Sequence, residues 1–342
     1  MTKIKAISVG RIRILVLLAG LSVLAFSGSA RSDSLLVSSF GNASILQYDA
    51  TTGAFTRTLV SSGSGGLMTP DGILLGKNGD LLVVSDKVVG GLDVSGSVLE
   101  YNATTGAFIG DFVSLGSGGL IAATDMIYGP NGNLFVSDFF GHDVKEYNGT
   151  TGAFIGVFAS TNLNFPQELV FGPNGNLYVA DERNVAEFNG TTGAFITQIA
   201  AFSTNGFPEP LAVAFGLNGN LFVGLGNPGE ILEYNSTTGA PMGTFISSGS
   251  CGLGSANSLS FQPNGELYVA NPTGNDILAF NGATGACIGT LVSPGNGGLN
   301  SPVNFIDIPS PVATTPEPSS FALFCAGLIL ILSALRGHRK VA

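Results

Sequence analysis

The sequence predicts an all-β protein, and three observations carry that prediction. Gly is abundant (50 of 342 residues), only 11% of residues are charged, and short Val-, Ile-, Leu- and Phe-rich runs alternate with turn residues. This composition excludes a disordered chain, which is poor in apolar residues, and a helical bundle, which is poor in Gly. The third observation is a motif that returns six times. Tyr48-Asp49-Ala50-Thr51-Thr52-Gly53-Ala54-Phe55 recurs at 101–108, 147–154 and 188–195, with looser copies at 234–240 and 280–286. A second motif interleaves with it, best seen as Gly172-Pro173-Asn174-Gly175-Asn176-Leu177-Tyr178-Val179-Ala180-Asp181, with Asn-Gly copies at Asn78, Asn131, Asn218 and Asn264.

Each repeat holds four apolar runs separated by turn chemistry. In one they are Glu168 to Phe171, Asn176 to Ala180, Val185 to Phe188 and Ala194 to Ile199. Runs of this length rich in β-branched and aromatic residues read as strands, and Asn-Gly between two of them reads as a hairpin. Four antiparallel strands in about 40–50 residues is the unit of a β-propeller blade. First strands fall around Ile73, Met126, Leu169, Val213, Leu259 and Phe305. The last has no second strand after it, whereas Leu35-Leu36-Val37 matches a second strand with no first strand before it. The two ends therefore complete one blade, predicting a six-bladed β-propeller over 34–309, its ring closed by N-terminal strands on the last C-terminal strand. The Asn-Gly-Asn-Leu-Tyr-Val-Ala-Asp wording resembles NHL repeats and, more loosely, gluconolactonase-like propellers. It lacks the basic residue usual in the third strand of NHL repeats.

Strand order separates the two faces of the ring. Short, nearly identical Asn-Gly and Thr-Thr-Gly turns share one face; variable loops share the other, where specificity usually resides. Those loops include Lys87 to Gly96, Phe139 to Asp143 with His142, and Gly226 to Glu230. The starts of the first strands bring Asp71, Asp125, Glu168, Asn257 and Asn304 to this mouth, and oxygen-rich sets suit Ca²⁺. The gluconolactonase-like resemblance implies a metal held by Asp125, Glu168, Asn257 and Asn304. The second strands also end at this face, in Asp86, Asp138, Asp181 and Asn271, and the three Asp residues are expected to cap backbone N–H groups instead.

Other chemistry is sparse. His142 is the one His before the C-terminal tail, so a multi-His zinc site cannot be built. Gly224-Leu225-Gly226-Asn227-Pro228-Gly229 spells a dinucleotide fingerprint but opens onto Pro and another strand rather than a helix. Cys251 and Cys287 would be left after loss of the tail with Cys325. Topology sets Cys251 in a connection on the variable face and Cys287 at the other end of an outer strand. A five-residue strand spans about 17 Å and a disulfide needs Cα atoms within about 7 Å, so no disulfide is expected.

The two ends read as addresses. Lys3, Lys5, Arg11 and Arg13 precede an apolar run, Ile14 to Phe26, and then Gly28-Ser29-Ala30, the form of a signal peptide (1–30) cleaved after Ala30. At the other end a linker (310–320) carries Pro316-Glu317-Pro318, followed by an apolar segment and Arg336, Arg339 and Lys340 in a tail at 321–342. This order resembles the PEP-CTERM sorting signal of Gram-negative bacteria. The resemblance implies recognition of Pro316, Glu317, Pro318 and Arg336 by an exosortase, a membrane protease, and delivery to the cell surface or exopolysaccharide matrix. The membrane would then be touched only by the tail, before processing. Between the addresses, 31–318 holds 6 basic and 23 acidic residues, a net charge of −17 where the whole chain has −10. So acidic a ring excludes nucleic acid as a partner and leaves a polysaccharide or protein ligand on the variable face. An enzyme of the lactonase or lyase kind is the alternative.

Overall fold

The computed structural model describes residues 33–201 and 209–308. Six four-stranded antiparallel sheets account for them. Blade 1 runs from the inside out as Pro302–Ile308, Ser34–Ser39, Ser44–Asp49 and Phe55–Val60. Blade 2 follows with Ile73–Leu75, Leu81–Val89, Leu92–Tyr101 and Phe108–Val113, and blade 3 with Ala123–Tyr128, Leu134–Asp138, Asp143–Tyr147 and Phe154–Ala159. Blade 4 comprises Leu169–Phe171, Leu177–Ala180, Asn184–Phe188 and Phe195–Ala201. Blade 5 comprises Pro210–Phe215, Leu221–Leu225, Ile231–Tyr234 and Pro241–Ile246. Blade 6 comprises Ser258–Phe261, Glu266–Asn271, Asp276–Asn281 and Cys287–Val292. Inner strands of successive blades adjoin in one closed cycle. All six expected first strands are inner strands, and closure is as expected: Leu36 pairs with Ile306 and Val37 with Phe305.

One blade cannot cover its own faces, so each gap between blades is filled by a separate apolar cluster. Blades 2 and 3 share Leu82, Val84 and Val98 against Met126, Leu134 and Val136. Blades 5 and 6 share Phe222 and Ile231 against Leu267, Val269 and Phe280. The core is thus six wedges between sheets.

The Thr-Thr-Gly motif has one physical explanation in every blade. An Asn or Asp side chain, such as Asn102, accepts the N–H groups two and three residues on, closing the turn between the third and fourth strands. The motif Gly follows with positive φ, and a Cβ at Gly53, Gly106, Gly152 or Gly193 would overlap a carbonyl oxygen of the preceding blade's outer strand. The first and last aromatics of the motif then meet edge-to-face: Tyr48 with Phe55, Tyr101 with Phe108, Tyr147 with Phe154 and Phe188 with Phe195.

Two expectations need correction. Cys251 and Cys287 form a disulfide, their Cα atoms 5.7 Å apart. The strands of a blade are not equally upright. Strand twist of roughly 20–25° per neighbour accumulates over three steps and tips the outer strand along the rim. The end of one outer strand consequently meets the start of the next, which is why motif glycines lie on the preceding blade's carbonyls. The second correction concerns Lys87 to Gly96. It is a continuation of the blade 2 hairpin, paired as far as Val89 and Leu92 around a Gly90-Gly91 turn. Ala30, Pro316, Glu317, Pro318, Arg336 and the expected signal and tail segments lie outside the described residues.

Candidate functional site at the channel mouth

The ring brings all four expected ligands together. Asp125 precedes the buried Met126 and Asn304 precedes Phe305, each the third residue of its inner strand, while Glu168 lies just before the inner strand that begins at Leu169. With Asp71, Asn257, Thr124, Gln167, Leu211 and Val303 they line a void of about 30 Å³, room for a water or an ion. A wider cavity of about 230 Å³ opens beside it, sharing Asp71, Thr124 and Gln167 and adding Asp86, Asp93, Phe40, Phe139 and Phe140.

The buried carboxyls are partly committed to backbone. Leu169 N–H donates to Asp125 Oδ2 at 2.9 Å, and Val213 N–H donates to Glu168 Oε2 at 2.8 Å. Ser258 Oγ donates to the other Glu168 oxygen at 2.9 Å, so one side chain of blade 4 joins blades 5 and 6. The small Ala212 stands at the matching place in blade 5. Asp71 has no side-chain hydrogen bond among the described residues. Burial, with the Asp125 and Asp93 charges adding, pushes its carboxyl up to about 8. Burial raises Asp125 to about 6 against the lowering effect of its N–H donors, and burial and then Asp125 hold Glu168 well above the usual range. Among the described residues no three His, Cys, Asp or Glu side chains converge closely enough to hold a metal ion. Of the three carboxyls lining this void, only that of Asp71 is without a hydrogen bond among the described residues.

The ends of the second strands behave as caps. Asp138 accepts N–H groups of Ile121, Ala122 and Gly141, Asp181 those of Arg183 and Asn184, and Asn271 those of Gly254 and Ser255. Lys145, 3% exposed, pairs with Asp138 at 3.3 Å and Asp143 at 2.9 Å beneath the mouth. Asp86 is a partial exception. Its Oδ1 accepts Ala123 N–H from the next blade at 2.9 Å, while its Oδ2 has no donor among the described residues. Burial pushes this carboxyl up to about 8 against that bond, and Asp93 and Asp71 push further.

Sequence reasoning missed the aromatic wall of the mouth. Phe139 meets Phe140 edge-to-face at 5.0 Å and lies tilted by 40° against Phe165 at 4.8 Å. His142 Nδ1 accepts Phe165 N–H at 3.2 Å and its ring lies 4.5 Å from that of Phe165. The available signal was two adjacent Phe residues in a loop, where no blade interior needs them. Phe165 also takes φ 56°, a conformation uncommon for a bulky residue.

No protein-family model matches this chain, and no curated protein matches it. Solved structures do. A protein of unknown function from Bacteroides caccae aligns over 82% of this chain and 100% of its own, at TM-score 0.60 and 15% identity. A chain of the nidogen/laminin complex aligns over 81% and 98%, at 0.63 and 12%. Virginiamycin B lyase from Staphylococcus aureus aligns over 80% and 79%, at 0.50 and 12%. At these identities the likeness establishes the fold alone: the chain is a six-bladed β-propeller.

Proposed function

We propose that the chain is an exported, NHL-like propeller that acts without catalysis, sorted by its C-terminal signal to the cell surface or exopolysaccharide matrix, where it binds a polysaccharide or protein partner through the mouth. One observation carries the binding reading. The turn face repeats the same chemistry blade after blade, whereas on the opposite face the connections between second and third strands differ from blade to blade, beside a cavity walled by exposed Phe rings and carboxyls. The nidogen/laminin neighbour supports it as a propeller solved within a protein complex. Expression in a Gram-negative bacterium carrying an exosortase tests the sorting. The reading requires extracellular protein whose mass lacks residues 1–30 and the basic tail; intact tail on the secreted form overturns it. Binding screens against exopolysaccharide and surface proteins test the rest.

The acidic mouth and the likeness to virginiamycin B lyase favour a second reading, a lactonase or lyase assisted by Ca²⁺ at Asp125, Glu168, Asn257 and Asn304. Turnover of a simple sugar lactone that depends on added metal supports it. A melting temperature unmoved by millimolar Ca²⁺ and by EDTA removes it.

A further inference from the structure

The chemistry of the mouth narrows the partner further, resting on the binding reading above. Its cavity of about 230 Å³ is smaller than the roughly 300–1,000 Å³ that encloses a drug-sized ligand. It suits one side chain or a small amine better than a length of polysaccharide. One side of the cavity is acidic, formed by Asp71, Asp86 and Asp93. Asp86 is only 7% exposed, yet its Oδ2 has no donor among the described residues, and none of these three acids has an ion-pair partner among them. The nearby Lys145 is already held by Asp138 and Asp143. The remaining wall is aromatic: Phe40 and Phe140 are 40% and 41% exposed, and Phe139 is braced between Phe140 and Phe165.

Carboxyls beside exposed aromatic rings are the complement of an organic cation, which gains from the charge and from the ring quadrupole together. A neutral sugar would use the rings but not the charge. We propose that the mouth binds the ammonium or guanidinium group of a cationic ligand, with Asp71 and Asp86 as its ion-pair partners and Phe139 and Phe140 as its aromatic wall. The net charge of −17 over 31–318 would draw such a ligand in.

The test is calorimetric titration of the purified chain with an end-blocked Gly-Arg-Gly peptide, its Gly-Gln-Gly counterpart and 1,5-diaminopentane. The Arg peptide should bind at least about tenfold tighter than the Gln peptide. Asp71→Asn should weaken binding of the Arg peptide about tenfold, and the exposed Phe140→Ala should weaken it about fivefold. A tighter peptide than diamine identifies a basic side chain on a protein as the source; the reverse identifies a free amine. Equal binding of Arg and Gln peptides overturns the proposal, as does Arg-peptide affinity unchanged in Asp71→Asn at an unaltered melting temperature. If a polysaccharide or surface protein still binds and is indifferent to Asp71→Asn, the general binding reading survives while this one fails.

Discussion

Cys251 lies bonded to Cys287 across the junction of blades 5 and 6, in the place where three other junctions set a Gly against a Phe. Gly65 packs on Phe108, Gly118 on Phe154 and Gly297 on Phe55. The loop is the same each time, Ser61–Leu67, Ser114–Leu120, Ser247–Leu253 and Ser293–Leu299, and its central residue has φ between 54° and 66°. At the Gly junctions a motif Tyr also donates to the loop: Tyr101 to Ser64 O, Tyr147 to Ser117 O and Tyr48 to Asn296 O. Blade 6 has Phe280 in that position, which cannot donate. The disulfide therefore stands where both the ring contact and the hydroxyl bond are missing.

Reducing that bond should cost about 2–4 kcal/mol, the usual worth of a disulfide, read as a melting temperature several degrees lower in dithiothreitol. Denatured, unreduced protein should titrate no free thiol from Cys251 or Cys287. The double variant Cys251→Gly with Cys287→Phe rebuilds the neighbouring junction and relieves a non-Gly residue of positive φ. It should melt above Cys251→Ala alone; a lower melting temperature would show that the two kinds of junction are not equivalent.

Gly152 and Gly239 hold the same motif position with φ 67° and 69°, but only Gly152 lies on a carbonyl of the preceding blade. At Gly239 the nearest atom to an added Cβ is Ile199 Cδ1, 3.6 Å away. Gly239→Ala should cost about 1–2 kcal/mol, the price of a left-handed L-residue. Gly152→Ala must also push blades apart and should cost clearly more, measured by urea denaturation. Equal losses would sink the close-approach argument.

The mouth carboxyls set a slope of stability with pH. Asp71 and Asp86 are raised to about 8, far above the unfolded value near 3.8, so the folded state binds more protons between those limits. The stability they contribute is fully present below about pH 4 and lost as pH rises through about 8. Melting temperature at low ionic strength should therefore fall from pH 5 to 9, and Asp71→Asn should flatten that fall. A wild-type profile no steeper than that of the variant would contradict the burial of Asp71 as a neutral acid.

Ring closure rests on the ladder between Ser34–Ser39 and Pro302–Ile308. Deleting 34–40 removes the strand that joins both ends of the chain and bares two sheet edges. Calorimetry should show loss of the single cooperative transition and increased aggregation; an unchanged melt would refute closure by this strand.

Periodicity alone determined the blade, the number of blades and the closing blade, because a strand alternates every two residues and a turn needs Asn, Thr and Gly at set places. The acids of the mouth were legible for the same reason: each falls within three residues of the start of an inner strand, and ring symmetry sends all such positions to one opening. Contacts between blades were not legible in that way. The Cys251–Cys287 bond depends on accumulated twist, which tips each outer strand toward its neighbour, and no local pattern reports that angle. The wall of Phe139, Phe140 and Phe165 likewise joins a loop of blade 3 to the approach of blade 4. Which carboxyls at the mouth stay neutral was decided by burial around the closed ring, a property of all six blades together.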